Sequence, residues 1–410
     1  MELNNGSYTI QNANVLDICE EFGTPVYVYD AKTIVKQIGS LKQAFSSVDM
    51  RMKYAAKALT NINILKLIRK EGVGVDVVSI EEARLALRAG YQPDEIMFTP
   101  NGVSFNEIME AVELNVSINI DNLPILQKFG ERYGNSKSCS LRINPGIMAG
   151  GNYKIATGHL QSKFGISVQQ LPQILDLVKQ YNLLVNGLHV HTGSEIVDVD
   201  VFLKVADVLF SVARNFASLK FLDFGGGFKV NYKDGDSVTD IQTLGTKLGH
   251  AFNQFCKEYG RTLELWIEPG KYLVSEAGHL LVKANVVKET PALTFVHVNS
   301  GLNHLLRPMM YDAYHDVVNV SNPDGKKKEY TVVGYICETD TIGTDRTLNE
   351  VREGAILAIR NAGAYGFSMA SNYNSRLRPA EVLVINGKPK LIREQESFED
   401  LLRGQIEIDL

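Results

Sequence analysis

The chain has 410 residues and a net charge of −5 at pH 7, and 45% of its residues are hydrophobic and 22% charged. This composition is ordinary for a globular protein, and it argues against a nucleic-acid-binding surface, which needs a strongly basic face. The sequence has neither an apolar run long enough to span a membrane nor a signal peptide at its start, so we expect a cytoplasmic protein with two domains.

Between residues 25 and 275, short apolar runs alternate with longer segments whose apolar residues have helical spacing. The predicted strands are Arg51–Tyr54, Gly74–Val78, Ile96–Thr99, Ser117–Ile120, Ser140–Ile143, Gly187–His191, Phe221–Phe224 and Leu263–Ile267. The predicted helices between them include Ile80–Ala89, Phe105–Leu114, Leu123–Tyr133, Leu171–Tyr181 and Val201–Phe216. Eight strands that alternate with helices over a segment of this length predict a (β/α)8 barrel, and a doubly wound sheet is the alternative.

The pattern changes after residue 275, where strand-like runs follow one another mostly without long helices. These runs are Leu280–Val287, Leu293–Asn299, Tyr330–Ile336, Ala355–Ile359 and Glu381–Ile385. Turn signals such as Asn386-Gly387 separate them. We therefore predict an all-β domain, a sandwich or barrel-like sheet, built from residues 276–410 and residues 1–24, with a strand at Tyr8–Ile10 that joins it.

Polar or glycine-rich residues follow most of the predicted barrel strands, at the end where barrel enzymes place their chemistry. Lys57 follows the first strand in the stretch MRMKYAAKALTN, and Asp76 lies in the second strand. The corresponding later positions are Asn144 after the fifth strand, His189 and His191 at the end of the sixth, Gly225–Gly227 after the seventh, and Glu268 and Lys271 after the eighth. We expect these side chains to face one mouth of the barrel.

Each of these residues also has an ordinary structural interpretation. A lone lysine such as Lys57 usually lies on the surface, and a run of glycines is most often a flexible turn. His189 and His191 point to opposite faces of a strand, so one of them is expected to be structural, and we predict no metal site because no third ligand is evident nearby. Asp76 is harder to explain in this way, because burying a carboxylate costs several kcal/mol unless it is paired.

Taken together, these residue types point to pyridoxal phosphate as a cofactor. A lysine supplies an amine that can hold the cofactor, and the backbone N–H groups of a glycine run can hold its phosphate. A histidine ring can stack on the pyridine ring, and a buried carboxylate can pair with the pyridine nitrogen and keep it protonated.

The ordered motifs of the chain resemble, nearly end to end, those of the fold-type III, alanine-racemase-like pyridoxal phosphate-dependent decarboxylases. In the barrel the matching motifs are YAAKA (residues 54–58), GVDVVS (74–79), HVHTGSEI (189–196), FGGGF (224–228) and EPGK (268–271). In the second domain they are LLRPMMYDAYH (305–315), ICETDT (336–341) and NAGAYGFSMASNYN (361–374). The segment GHLQSKFGI (158–166) is similar to one that is typical of the branch acting on diaminopimelate.

The resemblance implies a role for each matching residue. Lys57 would hold the cofactor, His191 would stack on its ring, and Glu268 would pair with the pyridine nitrogen. The other cofactor-binding residues would be Asp76, Ser194, Gly225, Gly226, Gly227, Gly270, Lys271 and Tyr365.

The resemblance also implies a homodimer with composite active sites. In this head-to-tail arrangement Cys337 would donate a proton in the site of the neighbouring subunit, and Glu338 would recognise the distal ammonium of the amino-acid substrate. Lys57, His191 and Cys337 would then be the catalytic residues. The substrate-binding residues would be Lys271, Arg307, Tyr311, Glu338 and Tyr365.

The implied reaction is the pyridoxal phosphate-dependent decarboxylation of meso-2,6-diaminopimelate to L-lysine and CO2, the last step of lysine biosynthesis. The alternatives are a related decarboxylase of ornithine, arginine or carboxynorspermidine, an amino-acid racemase on the same scaffold, and a non-catalytic pyridoxal phosphate carrier. The EPGR motif usual in the family is EPGK here, so Lys271 keeps the charge but loses the planar fork of arginine. The loop Met148–Gly158 also departs from the family pattern and has no assigned role.

Overall fold

The structure, a computed structural model, describes residues 1–150 and 157–410. The chain divides into a barrel unit of residues 35–230 and 237–273 and a sheet unit of residues 1–34, 231–236 and 274–410. The sequence-based division differs mainly in assigning residues 25–34 to the barrel. Residues 151–156 of the loop Met148–Gly158 lie outside the described residues.

The strands in chain order are β1 (Glu2–Asn4), β2 (Ser7–Ile10), β3 (Ala13–Asn14), β4 (Val26–Asp30), β5 (Met50–Ala55), β6 (Gly74–Val77), β7 (Ile96–Phe98), β8 (Ser117–Ile120), β9 (Ser138–Asn144), β10 (Ile166–Ser167), β11 (Leu184–His189), β12 (Phe221–Asp223), β13 (Glu264–Ile267), β14 (Gly278–Glu289), β15 (Thr294–Val298), β16 (Val317–Asn319), β17 (Lys327–Val333), β18 (Thr341–Asn349), β19 (Ile356–Ile359), β20 (Ala380–Ile385) and β21 (Lys388–Arg393). The helices are α1 (Val15–Phe22), α2 (Ala31–Ala44), α3 (Ile62–Lys70), α4 (Ile80–Arg88), α5 (Phe105–Glu113), α6 (Leu123–Tyr133), α7 (Leu171–Tyr181), α8 (Val199–Ala213), α9 (Ile241–Tyr259), α10 (Lys271–Val274), α11 (Arg307–Tyr311) and α12 (Phe398–Leu402). None of the helices in the described part of the chain is both long enough and apolar enough to cross a membrane.

Eight parallel strands of the barrel unit close into a ring. Their order is β9-β11-β12-β13-β5-β6-β7-β8, and the pairing of β8 with β9 closes it. The short strand β10 pairs with β9 as an additional ninth strand of the sheet. The predicted (β/α)8 barrel is therefore confirmed, and the doubly wound alternative is wrong because its sheet would stay open.

Polar caps begin several helices soon after the barrel strands end. The side chains of Asn61, Ser79 and Asn122 each accept a backbone N–H in the first turn of α3, α4 and α6. Such caps satisfy N–H groups that the start of a helix leaves unpaired. They help to fix the loops at the carboxyl ends of the strands, where the predicted site residues lie.

The sheet unit is organised around the long strand β14. This strand pairs with β4, β15 and β19, and the main sheet continues through β17 and β18 on one side and through β20 and β21 on the other. The five strands predicted for this domain are confirmed as β14, β15, β17, β19 and β20. The sequence pattern does not reveal β16, β18 and β21, which are short or largely polar and partly exposed.

The N-terminal segment contributes to the sheet unit in two ways. All five residues of β4 are buried, and the strand pairs antiparallel with β14 and parallel with β20. The sequence of a fully buried strand does not show which domain the strand belongs to. The sequence-based division therefore places β4 in the barrel that follows it along the chain. Strands β1, β2 and β3 form a separate small sheet, from which Ile10 packs into one core cluster with Val26 and Leu281. The predicted strand at Tyr8–Ile10 thus joins this unit but not its main sheet.

Candidate active site

A cavity of about 320 Å³ lies at the carboxyl ends of the barrel strands. Many of its lining residues are polar or charged, and they come from strands that are far apart in the sequence. They are Lys57, Asp76, Val78, Thr99, Asn101, Arg142, Thr157, Phe164, His189, His191 and Glu268. The structure thus brings together the lysine, both histidines and both carboxylates that the sequence singles out in the barrel.

Lys57 lies in a single turn of 3-10 helix, Ala56–Ala58, directly after β5. The Ala55 N–H donates to the Pro269 carbonyl with an N···O distance of 3.3 Å, which ties the end of β5 to the turn after β13. A Cβ on Gly270 in that turn would lie 3.1 Å from the Ala55 Cβ. The small residues around Lys57 therefore permit a close approach of two loops that border the cavity.

Glu268 and His189 form a buried hydrogen-bonded pair inside the barrel. Glu268 Oε2 and His189 Nε2 are 3.1 Å apart, and the side chains are 6% and 2% exposed. Burial favours the neutral acid, but His189 and the charge of Lys57 outweigh it and lower the pKa of Glu268 to about 2. Glu268 is therefore a carboxylate, and its buried Oε1 atom has no hydrogen-bond donor among the described residues.

The pKa of Asp76 is shifted in the opposite direction from that of Glu268, although both carboxyl groups are buried. Burial and the charge of Glu268 raise the pKa of Asp76 well above its usual value, against the opposing effect of Lys57. The cavity therefore favours the protonated form of Asp76. The sequence offers either carboxyl group as a partner for a ring nitrogen, and the electrostatics of the cavity favour Glu268.

His189 and His191 line the same cavity, which corrects the expectation that they point to opposite faces. Strand β11 ends at His189, so the alternation of a strand does not extend to His191. Burial and the charge of Lys57 lower the pKa of His191 well below its usual value, which leaves the ring neutral. The Gly226 N–H donates to His191 Nδ1 with an N···N distance of 3.3 Å.

The glycine run Gly225–Gly227 follows β12 and packs closely against neighbouring backbone. Gly225 and Gly227 have φ angles of +66° and +100°, which favour glycine. A Cβ on Gly226 would collide with the carbonyl oxygen of Glu268, and one on Gly225 would approach that of Val190 to 2.7 Å. This loop therefore needs glycine, and two of its backbone N–H groups are held in place by the side chains of Asp223 and His191.

An ion pair between Lys271 and Glu195 lies close to the glycine run, and the sequence analysis does not anticipate it. Lys271 Nζ is 2.8 Å from Glu195 Oε1, and Lys271 is 7% exposed. Glu195 has a φ angle of +63°, an uncommon conformation for a non-glycine residue. The loop that carries Glu195 and the half-buried Ser194 meets the glycine run where Gly227 accepts an N–H bond from Ile196.

Arg142 is a cavity residue that the sequence analysis misses. It lies within β9, is 6% exposed, and its guanidinium lies 4.7 Å from the centroid of the Phe164 ring. Burial lowers the pKa of Arg142, against the opposing charges of Glu268 and Asp121. The signal that could have revealed it is an arginine inside an otherwise apolar strand, because arginine is rarely buried without a partner.

Three buried side chains could supply metal ligands at one point: one nitrogen or oxygen atom from each of His189, Asp223 and Glu268 lies within 4.8 Å of the other two. The sequence shows no third metal ligand near the two histidines, because the two carboxylates come from other strands. Glu268 and His189 face each other in a hydrogen bond rather than across an ion. We therefore interpret the cluster as a hydrogen-bonded network, and the absence of a metal site stays a prediction.

In the sheet unit, Arg307 begins α11 and is 4% exposed. Its Nε lies 3.4 Å from His315 Nε2, and its Nη2 lies 3.4 Å from the Tyr232 hydroxyl. These contacts hold the guanidinium in a defined orientation. Tyr311, at the end of α11, is half-buried, as is Tyr365, whose φ angle of +56° is uncommon for a residue with a side chain.

Cys337 and Glu338 are exposed on the sheet unit. The buried carboxyl group of Asp340 holds their loop by accepting the Ile336 N–H with an O···N distance of 2.9 Å. The Tyr373 hydroxyl donates to Glu338 Oε1 at 2.9 Å. The loop is thus anchored from inside, and it presents a thiol and a carboxylate at the surface of the unit.

The barrel and its cavity match a known family. The pyridoxal-binding domain of the pyridoxal-dependent decarboxylases matches residues 31–275. The chain is 38% identical to the diaminopimelate decarboxylase of Methanothermobacter thermautotrophicus, with 98% of this chain and 96% of the relative covered. The chain belongs to the diaminopimelate decarboxylase family. A second family member, from Escherichia coli K12, is 36% identical, with 95% of both chains covered.

Solved structures of the diaminopimelate decarboxylase family share the fold. The Helicobacter pylori enzyme complexed with L-lysine superposes with a TM-score of 0.87 at 32% identity, over 95% of this chain and 98% of that one. The Methanocaldococcus jannaschii enzyme superposes with a TM-score of 0.90 at 31% identity, over 99% and 98%. A Vibrio vulnificus lysine/ornithine decarboxylase, at 22% identity and a TM-score of 0.79, shows the fold alone. The sequence-based predictions of family, fold, enzyme class and cofactor are confirmed.

The barrel residues fit the cofactor of the diaminopimelate decarboxylase family on structural grounds. The Oε1 atom of Glu268 is a buried acceptor that lacks a donor within the described chain, and a protonated pyridine nitrogen supplies one. In the glycine run a side chain would collide with neighbouring backbone, and Gly227 is only half-buried. Lys57 and the neutral ring of His191 line the same cavity. An amine, a flat ring, an anion and a glycine loop are the groups that pyridoxal phosphate needs.

Proposed function

We propose that the chain converts meso-2,6-diaminopimelate to L-lysine and CO2 with pyridoxal phosphate as its cofactor. The observation that carries the proposal is an anionic Glu268 in the cavity that also contains Lys57. Relatives that are 31–38% identical over nearly their full length are named diaminopimelate decarboxylase. A related structure contains L-lysine, which is the expected product.

Barrel residues hold and tune the cofactor in this proposal. Pyridoxal phosphate, when bound, supplies an electron sink for the electron pair that remains when CO2 departs. Lys57 holds the cofactor through its amine, and Glu268, oriented by His189, accepts a hydrogen bond from the pyridine nitrogen and keeps a proton on it. The neutral His191 ring packs on the pyridine face without adding a charge. Burial raises the pKa of Asp76, which favours Glu268 as the carboxylate that would meet the ring.

The cofactor phosphate is held by the loops after β11 and β12. In the loop after β12, the seventh barrel strand, the Gly227 N–H and the nearby Ser194 hydroxyl would donate to its oxygens, because this part of a barrel is a common phosphate site. The N–H groups of Gly225 and Gly226 already donate to Asp223 and His191 and shape the loop. Gly270 keeps the neighbouring turn compact. Lys271 supplies a positive charge for the phosphate or for a substrate carboxylate, and Glu195 orients it.

Each end of the substrate carries a carboxylate and an ammonium group. Its site therefore needs cationic side chains for the carboxylates and an anionic side chain for the distal ammonium. Arg307 binds a carboxylate through its planar fork, and its defined orientation supports this role. Tyr311 and Tyr365 contact the substrate beside it. Glu338 binds the distal ammonium.

Cys337 returns a proton to Cα after CO2 has departed. Its S–H bond breaks as the new Cα–H bond forms, and the resulting thiolate regains a proton from solvent. The exposure of Cys337 and Glu338 on their own subunit supports a head-to-tail homodimer in which they complete the site of a second copy.

All four cysteines are free, which fits a reducing, cytoplasmic environment.

The test is CO2 release from the purified, cofactor-loaded protein. We expect release from meso-diaminopimelate and none from L-ornithine, L-arginine or carboxynorspermidine. Lys57→Ala should abolish it, and Lys57→Arg, which keeps the charge but lacks the reactive amine, should abolish it equally. Release from another substrate alone would overturn the proposed specificity. No release while the bound cofactor still absorbs visible light would favour the racemase or the carrier.

A further inference from the structure

Asp223 is a buried carboxyl group that the proposed reaction does not use. It ends β12, immediately before the loop that contains the glycine run, and is 1% exposed. Its Oδ1 accepts the Gly225 N–H with an O···N distance of 2.8 Å. Its Oδ2 is buried and meets no hydrogen-bond donor in the described residues. One carboxyl oxygen of Asp223 therefore has a hydrogen-bond donor in the glycine run, and the other has none among the described residues.

The carboxyl group of Asp223 lies close to that of Glu268. Strand β12 runs between β11 and β13, so Asp223 is flanked by His189 on one side and by the strand that leads to Glu268 on the other. Ligand atoms of all three side chains lie within 4.8 Å of one another. Glu268 Oε1 is likewise without a donor inside the described ranges. Two carboxylate groups that only accept hydrogen bonds would repel one another here, and a single proton between them removes the conflict.

We propose that Asp223 is a positioning residue that carries this proton and donates it in a hydrogen bond to Glu268, so that Glu268 keeps the single negative charge of the pair. The inference rests on the proposed function, because it concerns the carboxylate that meets the pyridine nitrogen. Its consequence is that one side chain links the two ends of the cofactor site. Asp223 holds Gly225 of the phosphate loop with one oxygen and orients Glu268 with the other.

The charged groups around Asp223 agree with this assignment. His189 from β11 and Glu268 after β13 lie beside it, and Asp76 from β6 and Lys53 from β5 interact with it electrostatically. Burial and the charge of Glu268 raise the pKa of Asp223 well above its usual value. The pKa of Glu268 is lowered to about 2, so the proton of the pair belongs to Asp223.

A matched pair of substitutions separates the hydrogen bond from mere packing. Asp223→Asn keeps an acceptor for the Gly225 N–H and a donor for Glu268, whereas Asp223→Leu has neither. We expect Asp223→Asn to bind pyridoxal phosphate within about threefold of the wild type and Asp223→Leu to bind it roughly tenfold or more weakly. Asn119→Leu, which places leucine at another buried polar position of the barrel, is the packing control.

The pH dependence of cofactor binding gives a readout that packing alone would not move. A donated hydrogen bond stabilises the Glu268 anion, so its loss raises the pKa of Glu268. In Asp223→Leu the acidic limb of cofactor binding should therefore move to higher pH, and in Asp223→Asn and Asn119→Leu it should stay in place. Equal impairment in Asp223→Asn and Asp223→Leu would overturn the proposal, because it would mean that an ionised Asp223 is required.

Infrared spectroscopy of the cofactor-loaded protein tests the proton itself. The carbonyl stretch of a buried protonated carboxyl group should be present in the wild type, and one component of it should vanish in Asp223→Asn. An unchanged band would overturn the proposal. Neither this measurement nor cofactor binding uses diaminopimelate, so a wrong substrate assignment would leave both results interpretable.

Discussion

The barrel cavity and the loop that carries Cys337 hold their functional groups in opposite ways. In the cavity, Glu268 and His189 are buried against each other, and burial and neighbouring charges shift their pKa values. In the loop, Cys337 and Glu338 are exposed, and the one buried carboxyl group, Asp340, serves to anchor the backbone. The barrel therefore sets the charges of its site before any ligand arrives, whereas the loop offers groups that can act on something outside their own unit.

Cys337 should give the largest effect that distinguishes these two regions. If the thiol acts in the site of a second copy, Cys337→Ala should lower kcat by roughly 10²- to 10⁴-fold, because a positioned proton donor is lost. Lys57→Ala should be inactive for a different reason, because it removes the amine that would hold the cofactor. A mixture of the two inactive variants should regain about a quarter of the wild-type activity, because half of the dimers would be mixed and each would have one intact site.

Two controls sharpen the experiment on Cys337. Cys256→Ala removes another thiol that is not fully buried, and it should leave kcat unchanged. Mixing Lys57→Ala with Lys57→Arg should regain nothing, since both variants damage the same contribution to the site. If Cys337→Ala and Lys57→Ala also regain no activity when they form mixed dimers, the thiol acts within its own subunit.

Glu268 should make the barrel sensitive to acid. Its pKa is lowered from 4.5 to about 2 on folding, so its charge stabilises the fold fully above pH 4.5 and loses that effect as the pH falls through about 2. The unfolding free energy of Glu268→Gln should therefore fall less steeply with acid than that of the wild type, as measured by denaturant unfolding between these pH values.

The matched control for Glu268 lies on the strand that precedes it. Glu264 begins β13 and is about one-third exposed, where it meets Arg51. Glu264→Gln should keep the acid dependence of the wild type, because solvent screens an ion pair at the surface. Equal acid dependence in the wild type and in Glu268→Gln would mean that Glu268 is not an anion in the folded barrel.

The sequence predicts the barrel well because each of its strands carries its own local signal. A short apolar run followed by a polar cap, such as Ser79 before α4, is visible without knowledge of the fold. The same reasoning fails for β4, whose five residues are all buried and could belong to either domain. It also fails for β18, whose mixed polar residues lack the alternation of a half-buried strand.

The candidate site is predictable only where a residue type is unusual for its position. Lys57, Asp76 and Glu268 attract notice because a charge stands at the end of a buried strand. Arg142 does so equally but lies outside the recognised motifs. Asp223 lies just before the glycine run, which is the more conspicuous motif. The role of Asp223 depends on its proximity to Glu268, which follows the neighbouring strand, and a sequence pattern does not show that proximity.

The smallest expected effect concerns Lys271, which replaces the usual arginine of the family. Lys271→Met keeps the length of the side chain but removes the charge, and it leaves Glu195 partly buried without its cation. We expect a loss of roughly tenfold in one binding step, because breaking such a pair also leaves an uncompensated charge. An increase in the Kd of pyridoxal phosphate would assign Lys271 to the phosphate, and an increase in the KM of diaminopimelate alone would assign it to a substrate carboxylate.

Two further variants show how far Lys271 depends on its charge rather than on its shape. Lys271→Arg restores the planar fork and should change either constant by less than about threefold, because it keeps the ion pair with Glu195. Combining Lys271→Met with Glu195→Gln removes both charges and should recover part of the loss, since no unpaired carboxylate remains. If Lys271→Met alone changes neither constant, this ion pair only fixes the loop after β11 beside the glycine run, and the barrel needs no further cation from this position.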